Sequence, residues 1–148
     1  MKFIISLGAI LVGAGSALAA DMPNMLGTWI QVKHDGIYSG TASNPAPVKI
    51  HRSPPEAPVK MVINYQDGNL FSGESFYNKD NNHTVEDKKL GLKSLFTGVI
   101  KEDGKSFLRS DDFAIVTGEI VGDKINHCYA SIKETTNFAG CSVFERVK

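Results

Sequence analysis

Apolar and polar residues alternate over short runs along most of this chain, and no stretch beyond its first residues repeats at helical spacing, which predicts strands. Nine segments carry the alternation: 27–34, 58–65, 69–77, 83–88, 93–101, 106–110, 113–121, 124–132 and 138–147. Between several of them lie Gln66-Asp67-Gly68, Glu102-Asp103-Gly104-Lys105 and Val121-Gly122-Asp123-Lys124, which put Gly or Asp where tight hairpins need positive φ. Strands adjacent in sequence are therefore expected to be adjacent in space.

A second pattern lies over the first. Phe71-Ser72-Gly73, Phe96-Thr97-Gly98, Val116-Thr117-Gly118 and Phe138-Ala139-Gly140 each place a large apolar residue two before a glycine, hence on the same face of a strand. Glycines repeated about one hairpin apart are what a small closed sheet uses to curve. The expected fold is all-β, a single antiparallel up-and-down β-barrel of about eight strands, a closure that also removes exposed sheet edges.

The large interruption runs from Asp35 to Pro58 and holds Pro45, Pro47, Pro54, Pro55 and Pro58, so it reads as a long connection rather than helix or central strand. Two readings stay open, a lid over the open end of the barrel or a solvated, semi-rigid loop. The same segment carries Lys49, His51 and Arg52, balanced locally only by Glu56. This cationic group either attracts a carboxylate or phosphate at the barrel mouth or is merely solvated.

The first nineteen residues have the layout of a cleavable secretory signal: Lys2, an apolar run from Phe3 to Val12, and a small-residue exit at Gly15-Ser16-Ala17-Leu18-Ala19. The run is too short and too interrupted for a spanning helix. Residues 20–148 then form one domain, expected to be secreted or periplasmic, with no membrane span. Removing Lys2 from 16 basic and 16 acidic residues leaves 15 against 16, a balance that gives no pull toward nucleic acid. In an oxidising compartment Cys128 and Cys141 are expected to form a disulfide across one hairpin, closing a loop worth about 3 kcal/mol.

Gly27-Thr28-Trp29 near the start of the mature chain and Arg146 near its end resemble the signature of the calycin superfamily, the lipocalins and avidins. The resemblance implies an eight-stranded barrel in which Trp29 closes the narrow end and Arg146 packs over the indole as a cation–π pair. Within that superfamily Asp67-Gly68-Asn69-Leu70-Phe71-Ser72-Gly73-Glu74-Ser75 looks like the second hairpin of the avidins, and Val143-Phe144-Glu145-Arg146-Val147 like their closing strand. The avidins hold biotin with several tryptophans, whereas this chain has one, and Gln31 and Lys33 stand in the places that follow it. Biotin is therefore not the expected ligand.

If Trp29 points inward, strict alternation turns Gln31 and Lys33 inward as well and His34 outward. Either a bulge flips that register, or the cavity carries polar groups and Lys33 meets an anionic ligand. Val59, Met61, Ile63 and Tyr65 form one apolar face, and Phe96, Gly98 and Ile100 another. The candidate ligand contacts are Gln31, Lys33, Tyr65, Ser75, Lys49 and Arg52, around a small, mostly apolar or weakly anionic molecule. A barrel filled by its own side chains is the competing picture. So is a protein-binding barrel, such as a hydrolase inhibitor that uses the rim loops or the N-terminal residues Ala20 to Met25 as an inserted element.

Enzyme chemistry is not expected. His34, His51, His83 and His127 show no metal-binding spacing, no Gly-x-Ser-x-Gly elbow or phosphate loop occurs, and no cofactor is implied. Asn82-His83-Thr84 fits a glycosylation sequon.

Overall fold

The structure, a computed structural model, describes residues 22–52, 58–77, 92–112, 114–132 and 136–148. The expected signal segment, the strand at 83–88 and the sequon at Asn82 lie outside these residues.

Nine strands are described: β1 (Gly27–Gly40), β2 (Lys49–Arg52), β3 (Lys60–Asp67), β4 (Leu70–Tyr77), β5 (Leu92–Ile100), β6 (Ser106–Asp111), β7 (Ile115–Val121), β8 (Lys124–Ile132) and β9 (Thr136–Arg146). All pair antiparallel in the order β2-β1-β3-β4-β5-β6-β7-β8-β9, and β1 pairs with β9 to close the sheet. With β2 set aside as an appendage of β1, eight strands make an up-and-down barrel. Gly68, Gly104 and Gly122 all adopt positive φ in the turns where hairpins were expected.

The proline-rich interruption needs correcting. β1 runs on to Gly40, paired with β9 as far as Thr136, and β2 lies inside the segment read as a loop, its residues Lys49 to Arg52 opposite Tyr38 to Asp35. Pro45 and Pro47 precede β2, so neither has to donate to a ladder. Among the described residues β2 also has a partner on one side only, the edge position that proline-flanked strands tolerate.

Alternation along each strand sorts the interior into layers. At the end holding the hairpin turns at Gly68, Gly104 and Gly122, the first inward residues are Trp29, Ile63, Phe71, Ile100, Phe107, Ile120, Ile125 and Phe144, all buried and all apolar. Met25 packs beneath them. This layer is the base of the barrel and most of its hydrophobic core.

The repeated glycines are explained by the rings opposite them. In the strand register Phe71 faces Gly98, Phe96 faces Gly73 and Phe107 faces Gly118. A Cβ built on Gly98 would meet the Phe71 ring at 2.3 Å, one on Gly118 the Phe107 ring at 2.5 Å, and one on Gly73 the Phe96 ring at 2.7 Å. Each glycine leaves the space that a neighbouring phenylalanine fills, so the lower barrel is packed by its own side chains.

Two bulges reset the faces read by alternation. The β1–β9 register shifts between Gln31 and Lys33 and the β3–β4 register between Ile63 and Tyr65. After the first, Lys33 points outward and His34 inward; after the second, Tyr65 points outward and Gln66 turns toward the base. Cys128 and Cys141 form the expected disulfide, directly opposite each other on β8 and β9 with Cα atoms 4.0 Å apart, on the outer face.

Candidate functional site

The base is tied shut. Trp29 is fully buried, the Arg146 guanidinium lies over its ring at 4.2 Å, and its Nε1 donates to the Met25 carbonyl at 2.9 Å. Arg146 also donates to the carbonyls of Asn24 and Leu26 and to Asp123. From β3, Gln66 accepts from the Met25 backbone at 2.7 Å and donates to the Pro23 carbonyl at 2.9 Å. Indole, guanidinium and docked N-terminal segment thus form one plug, and Pro23 to Met25, part of the Ala20 to Met25 element that the protein-binding alternative would insert into a partner, are held against the barrel.

One step up β1, β6, β8 and β9 the interior changes character, while Met61, Phe96 and Val116 keep it apolar elsewhere. Above the apolar layer stand Gln31, Arg109, His127 and Ser142, then Ser75, Ser94 and Asp111. Burying such groups costs energy unless they pair, and here most do. Gln31 Nε2 donates to Ser142 Oγ at 2.8 Å, Gln31 Oε1 accepts from the Val59 backbone at 3.2 Å, and Ser142 Oγ lies 3.1 Å from His34 Nδ1. Gln31 also takes over as β1 parts from β3, its own backbone N–H reaching the Val59 carbonyl at 2.9 Å.

On the opposite wall Arg109, 4% exposed, bonds Asp111 at 3.1 Å and stacks on Phe96 at 4.5 Å. The apolar ring under the guanidinium and the carboxylate beside it are what make a charged pair tolerable inside the barrel. His127 stands between these two groups. Burial first, then the nearby Arg109 charge and His34, hold its imidazole down to about 3, so it is neutral near pH 7. Its Nδ1 has no hydrogen-bond partner among the described residues. His34 is lowered by burial and by His51, with Asp35 and the Cys141 backbone opposing.

Serine bonded to histidine begins a nucleophilic pair. Here the hydroxyl is buried and already occupied by Gln31, and Asp35, the carboxylate nearest His34 in sequence, is turned outward onto Lys33 at 3.4 Å. The contact is one link of a polar network that also ties His34 to the Cys141 backbone.

The mouth is walled by aromatic rings. Tyr129 lies 5.1 Å from Phe138, which lies 5.9 Å from Tyr38, and Tyr38 stacks on His51 of β2 at 4.8 Å while its hydroxyl bonds His51 Nε2. His34 packs beside Tyr129 and Phe138. Tyr38, Phe138, Tyr129 and His34 are all half-buried, with one side covered by the barrel. The Gly140 opposite Tyr129 makes room for the His34 ring, since a Cβ there would meet it at 3.0 Å.

The expected contact residues are divided by the fold. Gln31 and Ser75 are inside the barrel. The Lys33 side chain is 61% exposed and Tyr65 is 55% exposed, both on the outer face, which corrects the inward orientation alternation gave them. Lys49 pairs in register with inward-facing Tyr38, whereas Arg52 pairs with outward-facing Asp35, so the cationic group is split between two faces. Arg109, Asp111, His127, Ser142, Tyr129 and Phe138 were not singled out as site residues. Alternation from Phe107 would have found the first two, since Phe107, Arg109 and Asp111 share one face.

A groove of about 460 Å³ also crosses the outer face, bordered by Lys33, Asp35, Lys101, Glu119, Asn126 and the disulfide. Its charges are of mixed sign. No protein-family model, curated protein or solved structure matches the chain.

Proposed function

We propose that the chain is an exported, calycin-like barrel that binds a small, mostly apolar ligand at the mouth opposite Trp29, without transforming it. The observation that carries this reading is the layering of the interior. A barrel that was only a scaffold has no need of Gln31, His127, Ser142 and the Arg109–Asp111 pair above a sealed apolar base. Placed as a floor beneath a half-open ring of aromatics, the same groups give what small-molecule sites have, apolar walls with a few fixed polar atoms. The neutral His127, with an unpartnered ring nitrogen, is a hydrogen-bonding group at that floor for a ligand oxygen or nitrogen.

Export is supported by the signal-like first nineteen residues and by an oxidised cysteine pair on the surface. The calycin-like assignment is supported by the closed barrel and by Arg146 over Trp29.

Native mass spectrometry of the protein purified from its own source tests the proposal. A retained molecule of low mass, released by unfolding, is the expected result. A repeatedly empty protein whose Tyr129→Ala and Phe138→Ala variants bind the same panel of apolar probes as the parent would contradict it.

A further inference from the structure

The ligand class can be narrowed, on the premise that the mouth is the binding site. β2 brings two basic side chains to the mouth and keeps one away: Lys49 and His51 stand on the face shared with Tyr38 and Gly36, while Arg52 stands with Asp35 on the other. Lys49 stands opposite Tyr38 and His51 stacks on it, at one end of a run of rings, Tyr38, Phe138, Tyr129 and His34, linked by successive contacts of 4.8 to 6.3 Å. Among the described residues, the acidic groups nearby are engaged elsewhere. Asp111 is held by Arg109 inside the barrel and Asp35 by Lys33 outside it.

We propose that the mouth takes a planar aromatic carboxylate, its ring laid on the Tyr38–Phe138–Tyr129 wall and its carboxylate turned toward Lys49 and the His51 edge. Flat rings stack in offset or edge-on geometry on such a wall, while an aliphatic chain gains contact area without the ring–ring preference. Lys49 is exposed and supplies a mobile point charge at the rim. The position fits a ligand whose anionic end stays partly in water, and the carboxylate would lie above the polar floor instead of displacing the Arg109–Asp111 pair. A neutral ring would leave the lysine without a counter-charge.

Calorimetric titration of the mature, oxidised chain with three probes tests this: 2-naphthoate, its neutral counterpart 2-naphthalenemethanol, and dodecanoate. Naphthoate should bind tightest, and its affinity should fall as sodium chloride is raised while that of the alcohol stays level. Lys49→Gln should weaken naphthoate about fivefold, the size of one exposed ion pair, leave the alcohol unchanged, and be rescued by Lys49→Arg. Tyr38→Ala should weaken both aromatic probes.

Equal binding of alcohol and acid, or dodecanoate as the tightest probe, would overturn the aromatic carboxylate while leaving a ligand site at the mouth. Tight naphthoate binding indifferent to Lys49→Gln would overturn the role given to β2. If none of the probes binds and the protein from its own source is empty, the mouth-site reading fails along with this one.

Discussion

Acid should destabilise this barrel through one buried side chain, His127. Its folded-state imidazole titrates near 3, against an ordinary value of 6.5, because burial and Arg109 disfavour its charged form. Above pH 6.5 the histidine is neutral whether the chain is folded or not, and it contributes nothing to pH dependence. Below 6.5 the unfolded chain takes up a proton that the folded chain refuses, so stability falls with pH until the folded value near 3 is reached. Between pH 7 and pH 5 that single proton amounts to about 2 kcal/mol, out of about 5–15 for a domain of this size. Urea unfolding at several pH values in this interval, on the parent and on His127→Leu, isolates the effect, since His34 and the carboxylates titrate in both. The parent should lose about 2 kcal/mol more than the variant over the interval. Curves that run parallel to within about 0.5 kcal/mol, the usual scatter of additivity, would mean that His127 is solvated or partnered inside the barrel.

Other expectations follow from the packing. Trp29→Ala should cost about 3–5 kcal/mol, as a large core truncation that also frees the Met25 carbonyl and the Arg146 guanidinium; a loss below about 1 kcal/mol would mean the indole is not the plug. Gly73→Ala should cost more than Gly122→Ala in thermal unfolding. The new Cβ at 73 would meet the Val62 carbonyl at 2.1 Å as well as the Phe96 ring, whereas Gly122 has open space and only its positive φ to lose. Replacing Cys128 and Cys141 together by Ala should lower stability by about 3 kcal/mol for so short a loop, and thiol titration of the parent should find no free sulfhydryl.

The strands and their hairpins were legible because alternation and turn glycines are local signals: Gly68, Gly104 and Gly122 sit in their turns with the φ those turns require. The plug was legible from Trp29 and Arg146, although not the docking of Pro23 and Met25, which depends on Gln66 being swung inward by a bulge. Bulges were the main source of error. A single extra residue in one strand leaves no mark on composition, yet it exchanged Lys33 for His34 and Tyr65 for Gln66 on the inner face. β2 was hidden for another reason. Prolines around Lys49–Arg52 exclude a central strand but not a short edge strand, and only the prolonged β1 gives it a partner. The polar floor lay in plain view along β6 and β8, but an arginine or histidine on an inward face reads as an exception until its partners are seen.

The barrel is sealed at the Trp29 end and is proposed to be receptive at the other. Amide and aromatic proton shifts recorded by NMR during a titration with 2-naphthoate locate any bound ring directly. Saturable changes at Tyr38, His51, Tyr129 and Phe138, with the Trp29 indole N–H unmoved, are the predicted result. Changes centred on Trp29 and Arg146, or none that saturate at the mouth, would contradict it.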